Sequence, residues 1–203
     1  MSFGEDRKTL NNGGYTLMEL MVAMVIGMIV MASVATTFTT QTRAYSAQEQ
    51  INQMEQNARG ALDIMSRELK MAGYKPNGGS VTGVVSYSTT SLTIQADLNA
   101  DGAVSPSGSD NEHIAYAYDS ANKKITRQVG TAPAATLAEN ISGFTFTYYQ
   151  SSGTTLATSA ANIRRIKIAI TAKTEKPDPG YQTNGGYRTM DLSATITPIN
   201  LGL

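Results

Sequence analysis

Gly14, Tyr15 and Glu19 are the first residues whose types and spacing carry chemistry. A small residue at Gly14, followed directly by Tyr15 and an apolar run to about Ala35, marks a cut that would discard a short polar leader and keep the apolar segment. A secretory signal has the opposite order, with an apolar region of about 7 to 15 residues ahead of the cut. Cleavage after Gly14 would free an amine on Tyr15, about one helical turn from Glu19. Two roles for Glu19 follow, and they are compatible. Thr16-Leu17-Met18-Glu19 fits the Ser/Thr-x-x-Glu capping box, and a carboxylate in the first turn complements the helix dipole. In the second role, Glu19 of one copy meets the new amine of a neighbour, because a carboxylate on an apolar helix is costly unless paired.

A second group lies at Asp97-Leu98-Asn99-Ala100-Asp101-Gly102. In the opening of a calcium loop, oxygens at positions one, three and five converge on a hard cation and glycine permits the sharp turn. The twelfth position is Gly108 where such loops have Glu, so Asp110 or Glu112 would supply the bidentate ligand if the loop bulges. The alternative is a long hairpin connection in which Asx side chains cap their own backbone. No cofactor is required on these residues, and Ca2+ is the candidate ion. His113, the only histidine, falls in an expected strand and reads as a sheet residue. No Gly-rich phosphate loop, His/Glu zinc pair or nucleophile elbow occurs, so the inventory argues against an enzyme. Tyr148, Tyr149, Tyr181 and Tyr187 either line a binding surface or pack on a sheet.

The elements that position these residues begin with the apolar run. From Tyr15 to Ala35 only Glu19 and the Tyr15 phenol ionise, and about 20 apolar residues suffice to cross a bilayer. Arg7 and Lys8 offset Glu5 and Asp6 in the leader, and on the far side of the apolar run the nearest charge is Arg43, which leaves a weak bias toward a cytoplasmic N-terminus. Beyond the membrane, Ile51, Met54, Ala58, Ala61, Met65 and Leu69 recur at spacings of three and four, an amphipathic helix on a core. Between Ala35 and Ala72 only Gly60 is a helix breaker, Thr36-Thr37 with Thr39-Thr40 is a local low point in propensity, and the stretch from Gly73 to Gly79 stops the helix. A helix from Tyr15 to Ala72 would extend roughly 85 Å. Sixteen basic and sixteen acidic residues balance, which gives no electrostatic footprint for nucleic acid. With no cysteine among 203 residues, disulfides and thiolate sites are excluded.

Past Gly79 the pattern alternates, with Ser, Thr, Gly and Asn between short apolar runs. Strands are expected at Ser91 to Ala96, His113 to Tyr118, Lys124 to Val129, Gly143 to Tyr149, Arg164 to Lys173 and Tyr187 to Thr197. Asp119-Ser120-Ala121-Asn122 reads as a turn, and Gly130 to Ala138 as a surface loop. One wet face per strand predicts an antiparallel sheet laid on the C-terminal half of the helix. The fold class is α+β: a leader at 1–14, a membrane helix at 15–35, its amphipathic continuation at 36–72 and a β-rich domain at 80–203.

Gly14, an aromatic residue after it, Glu at the fifth position beyond the cut and a continuous apolar helix together resemble the type IV prepilins and pseudopilins. The resemblance covers about residues 1 to 40. It implies a cut by prepilin peptidase after Gly14, N-methylation of Tyr15 and pairing of Glu19 with a neighbouring subunit's N-terminus. Tyr15 stands where most of the family has Phe. Met65 to Tyr74 and Ile163 to Thr174 are similar to segments of PilW-type minor pilins and of the J-type minor pseudopilins of type II secretion. The resemblance thus implies a minor pilin of a type IV pilus, with the secretion pseudopilin as the alternative. Outside the family, the alternative is a signal-anchored adhesive protein. Implied partners are prepilin peptidase, other pilins and inner-membrane assembly proteins. The implied location is the inner membrane, with the C-terminal domain periplasmic and later in the fibre or at its tip.

Overall fold

Leu17–Met71 forms one α-helix, α1, in the computed structural model, which describes residues 13–79, 81–105 and 110–201. The leader before Gly13 and the loop position Gly108 lie outside the described residues. The chain divides into two compact units, Met1–Ser46 and Ala47–Leu203.

In the first unit, the large apolar side chains from Tyr15 to Val34 are between 53% and 91% exposed. Threonine is a poor helix former because its branched side chain loses rotamers and its hydroxyl competes for the backbone. Here the hydroxyls of Ser33, Thr36, Thr37, Thr39, Thr40 and Thr42 donate to carbonyls three or four residues back, at 2.9 to 3.1 Å. The helix therefore passes through its weakest stretch with its hydroxyls satisfied internally.

In the second unit, Met54, Ala58, Ala61, Met65 and Leu69 of α1 are buried, one stripe at helical spacing. Gly60 is exposed with open space around it and does not interrupt the helix. Packing of the neighbouring stripe outweighs its penalty of about 1 kcal/mol relative to alanine. Gly73 ends α1 with φ at +80°, the left-handed position that glycine takes after a helix. Its N–H bonds Gln95 O at 2.8 Å, tying the helix end to the sheet.

Among the described residues, eight antiparallel strands follow, in two sheets where the alternation predicts one. The first sheet runs in sequence order through β1 Val84–Tyr87, β2 Ser91–Gln95, β3 His113–Asp119, β4 Lys124–Val129 and β5 Ala135–Ala138. The second contains β6 Ile141–Tyr149, β7 Arg165–Lys173 and β8 Thr189–Ile196. Only Glu139 and Asn140 separate β5 from β6, and Asn140 takes a φ of +57°. That left-handed residue turns the chain, and β6 pairs with β7 along its length instead of extending the first sheet. Alternating burial along β2 and β7 matches the expected single wet face.

Two strands fall outside those expected. Residues 130–138 are not all surface loop: β5 pairs with β4, and Ala138 is buried. β5 is a short edge strand with a register shift, and two of its four residues are alanine, so it lacks the β-branched run that signals a strand. β1 is a four-residue edge strand with a similar irregularity. The Asp119 turn forms as expected, its Oδ1 accepting the N–H groups of Ala121 and Asn122 at 3.0 Å. The core joins α1 to both sheets through Leu92, Tyr116 and Ile125 on one and Phe146, Ile166 and Ile168 on the other.

Candidate functional site

Gly14 precedes α1 by three residues, and Tyr15 is 91% exposed. A Cβ built on Gly14 meets no described atom within 4 Å, and its backbone is not left-handed. Among the described residues, nothing therefore requires glycine at 14.

Glu19 lies in the first turn of α1. Its Oε2 accepts the Thr16 N–H at 2.8 Å and the Thr16 hydroxyl at 2.9 Å, while the Glu19 N–H bonds back to Thr16 Oγ1 at 3.2 Å. This is the reciprocal capping box expected from Thr16-x-x-Glu19. It satisfies two N–H groups at an end where four have no helical partner. The carboxylate nevertheless stays exposed within the chain. Leu17, Leu20, Met21 and Met24, which flank it, are all more than half exposed. The most apolar 18-residue window of α1 has no share buried, so this stretch is not a core helix. Its length and composition suffice to cross a bilayer.

The second candidate group is only partly brought together. Asp97 and Glu112 are buried, whereas Asn99, Asp101 and Asp110 are exposed. Asp97 Oδ2 accepts the Gly102 N–H at 3.0 Å. Glu112 Oε1 accepts the N–H groups of Leu98 and Asn99, each at 3.0 Å. Asn99 Oδ1 accepts the Asp101 N–H at 2.8 Å, and Asp101 Oδ1 accepts that of Ala103 at 2.8 Å. Among the described residues, no three histidine, cysteine or acidic side chains cluster as a metal centre by themselves.

Three of the four tyrosines, Tyr148, Tyr181 and Tyr187, have side-chain partners within the chain. Tyr148 is buried, its hydroxyl donating to Ser88 O at 2.8 Å, and burial pushes its phenol well above the ordinary range. Lys173 lies over the Tyr187 ring and Arg188 over that of Tyr181, at 4.4 and 4.8 Å from the centroids. Tyr149 is half-buried on β6. His113 opens β3, opposite Gln95, as a sheet residue. Sequence reasoning missed one partly buried polar cluster: the buried Tyr116 hydroxyl donates to Glu68, and Arg127 Nη2 bonds Glu68 at 2.7 Å. Its members lie 48 and 59 residues apart and on three elements, so no local pattern announces them.

Two family models match the chain. One, described as a prokaryotic N-terminal methylation motif, covers residues 9–35. The other, described as prepilin peptidase-dependent protein B, covers residues 47–189 and begins where the second compact unit begins. No curated protein and no solved structure matches.

Proposed function

Because the chain belongs to the prepilin peptidase-dependent protein B family, among the type IV prepilin and pseudopilin-like proteins, we propose that it is a minor pilin of a type IV pilus. Prepilin peptidase cuts after Gly14, Tyr15 becomes the N-methylated first residue, and the mature chain enters or primes the fibre. Before assembly it spans the inner membrane once, with the N-terminus cytoplasmic and the second unit periplasmic. In the fibre, the Glu19 carboxylate pairs with the Tyr15 amine of a neighbouring subunit, and other pilins cover the apolar helix. It performs no catalysis.

The observation that carries this reading is Gly14. The fold does not need a glycine there, yet it stands immediately before an unburied apolar helix with a carboxylate in its first turn. A peptidase that binds the backbone closely at the cut accounts for that choice, since glycine alone brings no side chain.

The test is the intact mass of the chain from cells that have the peptidase, for wild type and Gly14→Leu. Wild type should lose residues 1–14 and gain one methyl group. The variant should keep its leader and stay out of the fibre fraction, with an unchanged unfolding midpoint because the new side chain meets open space. A full-length wild-type chain, or a variant cut like wild type, would sink the proposal.

A further inference from the structure

Asp97 follows β2 and is fully buried. One carboxylate oxygen, Oδ2, is held by the Gly102 N–H. The other, Oδ1, is buried and has no hydrogen-bond partner among the described residues. Such an oxygen is shielded from bulk solvent with no donor from the described residues, and buried carboxylates are ordinarily compensated by a donor, a cation or a metal. No salt bridge to Asp97 occurs among the described residues. The oxygen belongs to a group drawn into the 97–102 turn by the Gly102 bond, and Asn99 and Asp101 lie on that same turn.

We propose that Asp97, Asn99 and Asp101 bind a calcium ion, with Asp97 Oδ1 as the anchoring ligand. Every candidate donor is oxygen, which selects a hard cation. The side chains supply only two carboxylates and one amide, and no three acidic groups converge among the described residues. Backbone carbonyls and water must therefore complete the shell of about 6 to 8 oxygens that calcium accepts, whereas magnesium demands a stricter octahedron. Glu112 is a positioning residue: with Oε1 on the N–H groups of Leu98 and Asn99, it fixes the turn that presents the ligands. So small a ligand charge places the affinity in the class of extracellular modules, with Kd of roughly 0.1 to 1 mM.

The test uses the full chain in detergent micelles, unfolded thermally with EDTA, with about 10 mM calcium chloride and with equal magnesium chloride. Calcium should raise the wild-type midpoint by roughly 3 to 10 °C, and magnesium by less. Asp97→Asn should lose the calcium shift and, in EDTA, unfold at or above the wild-type midpoint, because the uncompensated charge is gone. Asp101→Asn, on an exposed side chain whose amide oxygen can still accept the Ala103 N–H, should fold normally and weaken calcium binding at least about tenfold. Three results would each overturn the site: no calcium shift in wild type, an equal shift with magnesium, or an undiminished calcium shift in either variant.

Discussion

Glutamine at position 19 would leave an oxygen to cap Thr16 while removing the charge, because a capping box accepts Glu or Gln at its fourth residue. The substitution therefore separates the two roles of Glu19. In the chain itself the carboxylate binds the Thr16 N–H and hydroxyl, a contribution worth about 1 kcal/mol at a helix N-terminus. In an assembly, truncating one partner of a desolvated charge pair costs about 2 to 5 kcal/mol per contact. Glu19→Gln should accordingly be cut and methylated like wild type and keep its helix content by circular dichroism. Its amount in the sheared fibre fraction, measured by quantitative immunoblot, should fall at least about tenfold. Normal incorporation would assign Glu19 to capping alone. Asp97 poses the same kind of question in the other unit, since one oxygen is explained by the turn and one is not.

At the scale of elements, Glu68 fastens α1 to the first sheet by accepting from Tyr116 on β3 and Arg127 on β4. Tyr116 is 1% exposed. Burial first, then the bond to the Glu68 carboxylate, raises its phenol well above the ordinary range. A raised folded-state pKa means that this contribution is whole below the unfolded value of about 10 and is lost as pH rises beyond it. Above that pH the unfolded chain releases a proton that the folded chain retains. Tyr116→Phe should cost about 1.5 to 3 kcal/mol at neutral pH through the lost bond to a charged acceptor. It should also flatten the alkaline decline by up to about 1.4 kcal/mol per pH unit. Urea unfolding between pH 7 and about 11.5 checks both, and an unchanged alkaline slope would contradict the linkage. This cluster also marks where sequence reading stops. Periodicity revealed α1 to within two residues at its start and one at its end, because a stripe such as Met54, Ala58, Ala61, Met65 and Leu69 is a local signal. β4 and β7 were likewise legible from alternation. The split into two sheets depends on Asn140, a residue compatible with ordinary turns, and β1 and β5 are too short to alternate. The Thr16-Glu19 capping box was readable because its residues are close in sequence, whereas Glu68, Tyr116 and Arg127 meet only in three dimensions.

At the scale of the whole molecule, the two units have opposite relations to water. Every buried hydrophobic residue named in the core lies at or beyond Met54, inside the second unit, together with the eight strands of the described residues. The first unit keeps its apolar side chains on the outside, which in water would promote association and in a bilayer or fibre becomes the means of anchoring. The family model for the second unit also starts at residue 47. If stability resides in the second unit and assembly in the first, residues 47–203 alone should be soluble and monomeric without detergent. They should unfold in one cooperative transition, with a midpoint within about 3 °C of the full chain's, because the core and the Glu68 cluster are complete. The free helix start at Ala47 is expected to fray by about a turn before Met54, the first buried position. The same fragment should be absent from fibres, since it lacks Tyr15 and Glu19. Sedimentation and calorimetry of the fragment beside the full chain decide the matter. A fragment that aggregates, or melts more than about 10 °C early, would show that the second unit draws stability from residues before Ala47.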